Sequence, residues 1–267
     1  MIAQAANPAA DAADAVSNAV VSPEASLFIR EILEKALTNP VGVAPRWAAD
    51  AWALLANVLM NDYLNWWNYA GLAELREADD AVQNALALNP NLAFAHHAMG
   101  LIYRATGQPN LARKAFRKAK CLDSGFARAH AQFGNQKAAL GREDEVQDPL
   151  DTAIELGPRH PASGYFYWGK GRGYFQEEKW PLAIEWLSKS VDALPTVWYN
   201  RCYLAAAKNQ PPGSVINAAA QQTMIEFLDR FGRHTLARAV ASLQDNPSDP
   251  QPVRDARQAV LDFIRHF

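Results

Sequence analysis

His96 and His97 stand side by side, and His130 follows 34 residues after the first of them. Imidazoles can ligate metals or move protons, but consecutive helix residues do not share a face, so this pair is not a metal site. The chain has no His-Glu-x-x-His, no Cys-x-x-Cys and no glycine-rich phosphate loop ending in Lys-Ser/Thr. The run GKGRG at Gly169–Gly173 follows no strand and lacks phosphate-loop spacing, so close helix packing explains it better. Acidic runs at 143–145 and 177–178 fall between helices, where carboxylates favour the N-terminus of the next helix. No catalytic residue, metal site or cofactor is expected. Cys121 and Cys202 both lie in helical patterns and read as reduced thiols of a cytoplasmic protein. The densest chemistry is aromatic: MNDYLNWWNYAG (60–71) places Tyr63, Trp66, Trp67 and Tyr69 within seven residues.

These side chains must be held by a framework that the composition bounds. Of 267 residues 49% are hydrophobic and 20% charged, enough apolar surface for a substantial core. A net charge of −2 gives no electrostatic footprint for nucleic acid or an anionic membrane. No apolar run approaches the ~20 residues that span a bilayer. Residues 1–22 lack Lys and Arg and are rich in Ala, Asp and Asn, which reads as a disordered leader rather than a signal peptide.

The framework shows in an internal repeat. His96 and His130, Gly100 and Gly134, Gly107 and Gly141, and Ala119 and Ala153 all lie 34 residues apart. Each unit is apolar at helical spacing, breaks at a turn, runs apolar again and stops at Pro or Ser. This resembles the tetratricopeptide repeat (TPR), whose pattern is a large residue, Leu-Gly, Tyr, then Ala, an aromatic, Ala and Pro. Those slots hold His96, Met99-Gly100, Tyr103, Ala112, Phe116, Ala119 and Ser124 in the second unit. In the third they hold His130, Phe133-Gly134, Lys137, Val146, Leu150, Ala153 and Pro158. The fourth has Tyr167, Lys170-Gly171, Tyr174, Ala183, Leu187, Ser190 and Pro195; the first has Trp52, Leu55-Ala56, Leu59, Ala78, Val82, Ala85 and Pro90. Residues 197–228 form a degenerate fifth unit. Small residues let paired helices approach, large ones fill the gaps, and no unit buries its face alone.

The resemblance implies an all-α, right-handed α-solenoid of about five TPR units, at about 49–90, 91–124, 125–158, 159–195 and 196–228. Residues 23–48 are expected to supply an N-terminal capping helix and linker, with Leu27, Ile29, Ile32, Leu33 and Leu37 as the apolar set. Residues 229–267 are expected to form C-terminal capping helices, interrupted by DNPSDPQP. In the first unit the interval from the large slot to the first small slot of the second helix is ten residues longer than elsewhere. The extra residues carry the rings, and a first helix prolonged by about two turns to Gly71 is expected. Its tip, with Tyr63, Trp66, Trp67 and Tyr69, is expected to be buried by the return segment 72–77 and the N-terminal helix. The alternatives are a contact for another domain or a second copy of the chain, or an aromatic pocket for a small ligand.

In TPR arrays the first helices line a concave groove. The resemblance assigns to it Asn57, His97, Leu101, Arg104, Arg128, Asn135, Tyr165, Trp168, Arg172 and Tyr199. Amides there can pair with a peptide backbone, and guanidinium groups can bind carboxylates or stack on rings. That suits an extended segment with acidic or aromatic residues, or a free carboxyl terminus. The lysines of the chaperone-tail clamp known in the family have no counterparts. The Trp52–Ala56 region, the aromatic insertion and Leu194–Ala207 are similar to TPR regions of bacterial class III adenylate/guanylate cyclases. This implies a non-enzymatic interaction module of bacterial signalling. The alternative is a regulatory module that senses a small molecule.

Overall fold

The computed structural model describes residues 22–38, 47–68, 71–140, 145–210, 216–243 and 251–267. Within them every regular element is an α-helix, and there is no strand. In order these are α1 (Pro23–Leu37), α2 (Ala48–Asn65), α3 (Leu72–Leu88), α4 (Ala93–Ala105), α5 (Pro109–Leu122) and α6 (Ala127–Ala139). They are followed by α7 (Gln147–Leu156), α8 (Ser163–Gln176), α9 (Trp180–Ala193), α10 (Trp198–Lys208), α11 (Ala218–Ser242) and α12 (Gln251–Ile264). The chain is an α-solenoid of TPR-like helix pairs. Residues 1–21 of the expected leader, Tyr69, Glu143, Asp144 and most of the DNPSDPQP break lie outside the described residues.

Local chemistry sets the helix ends. Ser22 accepts from the Ala25 N–H at 3.2 Å, and Pro23 opens α1 where no backbone donor is needed. Prolines occupy the first turns of α5 and α9 in the same way. The Gly71 N–H donates to Glu74 Oε2 at 2.7 Å ahead of α3. α11 bends at Gly232, whose φ of 72° leaves the helical region.

Two compact units divide the chain, one of residues 1–129 with 160–162, the other of 130–159 with 163–267. In the first, α1 packs on α2, α2 on α3 and α4, and α4 on α3 and α5. In the second, α7 packs on α8, α8 on α9 and α10, and α10 on α9 and α11. The second-helix slots Ala78/Val82/Ala85, Ala112/Phe116/Ala119, Val146/Leu150/Ala153 and Ala183/Leu187/Ser190 are all wholly buried. The glycine slots explain the spacing. A Cβ on Gly100 would lie 2.5 Å from the Phe116 ring, and one on Gly171 would lie 2.6 Å from Leu187 Cγ. The GKGRG run is indeed a packing device. Gly169 meets Asn135 and Leu150, Gly171 meets Leu187, and Gly173 meets Gln147 and Val146.

Two lysines in apolar slots are accommodated by pairing. Lys170, only 4% exposed, donates to Asp151 and lies 4.6 Å from the Trp186 ring centroid. Lys137 pairs with Glu145 and lies 5.1 Å from the Phe133 ring centroid. Long side chains of this kind bury their stems and lead the charge to a partner.

One expectation needs correction. The first-unit helix does not run to Gly71; α2 stops at Asn65, and Trp66 takes a left-handed conformation with φ 60°. The Trp67 N–H then bonds the Asp62 carbonyl at 2.9 Å. Tertiary hydrogen bonds hold this break against α1: Ser26 Oγ donates to Asp62 Oδ1 at 2.5 Å, and Asn68 Nδ2 reaches Asp62 Oδ2 and the Pro23 carbonyl, both at 3.1 Å. Arg30 adds an ion pair to Glu77 at 2.8 Å. The apolar face of α1 is also narrower than expected. Ile29, Leu33 and Leu37 are buried, while Leu27 and Ile32 are exposed, as is Phe28 at 65%.

Candidate peptide-binding surface

In the first compact unit, α2 and α4 bring Asn57 and His97 together at full burial. The Asn57 amide nitrogen donates to the Ala53 carbonyl at 2.8 Å and the Phe94 carbonyl at 3.1 Å. Its Oδ1 is therefore the acceptor for His97 Nδ1 at 2.6 Å, which places the imidazole proton on Nδ1. Burial above all, then the charges of Arg128 and Arg104, holds His97 well below its ordinary pKa. The ring is neutral at pH 7. Leu101, one helical turn beyond His97 on α4, is also buried, so three of the expected groove residues are part of the wall's interior.

Around them is an aromatic and cationic layer. Phe94 stacks on Phe126 with centroids 5.2 Å apart and planes inclined by 15°, and His97 lies 5.1 Å from Phe126. The Arg128 guanidinium lies 5.9 Å from the Phe94 centroid. Arg104 is half-buried. Burial, then the Arg128 charge, pushes His160 down to about 4.

The second unit has the same chemistry in a tighter form. Arg172 Nη2 donates to the Asn135 carbonyl at 2.6 Å, and its guanidinium lies 4.7 Å from the Trp168 centroid. Trp168 contacts Tyr199 at 4.8 Å and Tyr203 edge-on at 6.4 Å; Tyr203 meets Phe175 at 5.4 Å. Asn135 is buried, whereas Tyr165, Trp168, Arg172 and Tyr199 are half-buried. Burial raises the Tyr203 phenol, opposed by the positive charges of Arg172 and Arg257. Cys202 is fully buried and its thiol is raised by burial, so it is not poised as a nucleophile.

The aromatic insertion divides. Trp67 is buried, Tyr63 and Trp66 are half-buried, and Tyr69 lies outside the described residues. Among the described residues no three His, Cys, Asp or Glu side chains are grouped to hold a metal ion. No described helix is long and apolar enough to cross a membrane. Sequence reasoning missed Phe126, Tyr203 and Arg257. The available signal for Tyr203 was its place four residues after Tyr199, on the same helix face.

The fold and this layer together define a TPR-type α-solenoid whose first helices carry stacked rings and guanidinium groups. Solved structures of this kind are similar to the chain. The protein of the Pseudomonas aeruginosa pilF study aligns with a TM-score of 0.55 at 22% identity, over 82% of this chain and 92% of that one. A chain of the APC/C hetero-tetramer Cut9–Hcn1 aligns with a TM-score of 0.62 at 14% identity, over 88% of this chain and 40% of that one. The Thermus thermophilus TPR protein TTC0263 aligns with a TM-score of 0.51 at 18% identity, over 69% of this chain and 91% of that one. At these identities the likeness is one of fold. No protein-family model matches the sequence, and no curated protein matches it.

Proposed function

We propose that the chain is a non-enzymatic interaction module that captures a protein or peptide segment on the first-helix faces of its TPR-like pairs. The segment carries carboxylates or aromatic rings. The observation that supports this reading is the stacking of Arg172 on Trp168, itself packed on Tyr199, with the guanidinium held from behind by the Asn135 carbonyl. A guanidinium fixed in this way loses little freedom when it meets a carboxylate, which is the advantage of preorganisation. Arg128, only 7% exposed over the Phe94 ring, supports the layer of the first compact unit from within. Asn57, His97, Leu101 and Asn135 support the layer from within, and Arg104, Tyr165 and Tyr199 extend it. The resemblance to cyclase TPR regions favours a role in bacterial, cytoplasmic signalling.

Co-purification tests the reading. Arg172→Glu is expected to remove a partner that the wild-type chain retains, and the set Arg104→Glu, Arg128→Glu, Arg172→Glu to remove it fully. Equal recovery with folded variants rejects the assignment.

A further inference from the structure

The last helix, α12, packs against both α8 and α10, the first helices of two successive pairs, and also against α11. α12 therefore spans two first helices and does not rest on the last pair alone. Its buried face comprises Val253, Ala256, Val260, Leu261, Phe263 and Ile264, while Asp255, Gln258, Asp262 and Arg265 remain exposed. The buried positions recur at three and four residues, the spacing of an amphipathic helix laid in a groove. α12 packs on α10, which carries Tyr203 of the aromatic layer, and the charges of Arg172 and Arg257 both lower the Tyr203 phenol against its burial. The Arg233 guanidinium donates to the Phe267 carbonyl at 2.9 Å and holds the end of the chain.

We propose that α12 is a resident, displaceable occupant of the second unit's binding wall, and that the partner segment there is an amphipathic helix with the same apolar spacing. This rests on the reading of the first helices as the capture surface and names the conformation of what they capture. The seat takes an i, i+3, i+7, i+10/i+11 set of Val, Ala, Val and Phe/Ile in helical form, as α12 itself demonstrates. A tethered occupant competes at an effective concentration on the order of millimolar, so an external helix binds only when it outmatches α12 or when α12 is weakened.

The test uses the full chain and a fluorescein-labelled peptide of sequence QPVRDARQAVLDFI. Val260→Glu with Ile264→Glu releases the resident helix, and the variant is expected to bind the peptide at least about tenfold more tightly than the wild type. The peptide carrying the same two glutamates is expected not to bind. Equal binding by both chains, or binding by neither, overturns the proposal. If the charged pair unfolds the chain, Val260→Ala with Phe263→Ala makes the same comparison with a smaller contrast. Sedimentation covers the remaining occupant: a dimer of the wild-type chain that excess peptide dissociates would assign the seat to a helix exchanged between copies and overturn the resident reading. Failure here is separable from failure of the proposed function. Loss of partner with Arg172→Glu but no peptide result sinks only the helix seat. Peptide binding with partner capture indifferent to the arginines sinks only the capture reading.

Discussion

At the scale of single residues, three buried or half-buried histidines make a pH prediction whose sign is fixed. His96, His97 and His160 all have folded pKa values below the ordinary 6.5, each chiefly through burial. The unfolded chain therefore binds more protons than the folded one once the pH falls below about 6.5. Their contribution to stability is intact above that value and declines as the pH drops toward the folded values, near 4 for His160. Each such proton is worth about 1.4 kcal/mol per pH unit. Urea unfolding between pH 7 and 5 is expected to show this decline, and His97→Gln to flatten it. A second residue-scale prediction concerns close approach. Gly171→Ala drives a methyl against Leu187, whose Cγ would be 2.6 Å and backbone nitrogen 2.9 Å away. Because the backbone atom cannot yield as a side-chain tip can, a loss of about 1–3 kcal/mol in urea unfolding is expected.

At the scale of elements, the aromatic stretch shows what a sequence conveys and what it does not. The second-helix slots were legible because small and large residues at fixed offsets leave no other way for each pair to close. The end of α2 was not legible. Apolar rhythm continues through Trp66 and Trp67, and the stop at Asn65 comes from hydrogen bonds to α1 made by residues about forty positions away. Asn57 and His97 were legible as neighbours in a wall but not as a buried pair, since burial depends on the packing of α4 over α2. The divided exposure of the stretch gives a prediction. Trp67→Ala removes a buried ring and is expected to cost about 3–5 kcal/mol, read as a lowered melting temperature. Trp66→Ala is expected to cost far less. It also tests a second copy as partner: unchanged sedimentation with Trp66→Ala removes self-association through this tip.

At the scale of the whole molecule, repeat arrays derive stability from each unit and its nearest neighbours rather than from one central core. Each of the two compact units here has its own buried set: Phe116, Leu59 and Met60 in one, Phe166, Phe175, Leu187 and Phe227 in the other. In such a molecule damage stays local, because helices distant along the chain share few of the contacts that are lost. Phe116→Ala empties the slot beneath Gly100, where the ring is closest to the partner helix. A cost of about 3–5 kcal/mol is expected, concentrated in α4 and α5. Native-state amide exchange followed by mass spectrometry reads this by segment. Protection is expected to fall across 93–122 while α8, α9 and α10 exchange as in the wild type. A uniform fall across both units would mean that the chain opens as one cooperative body. A capture surface built from separate pairs would then have to be read as a single rigid one, and the Arg128 and Arg172 layers would no longer be expected to respond independently to mutation.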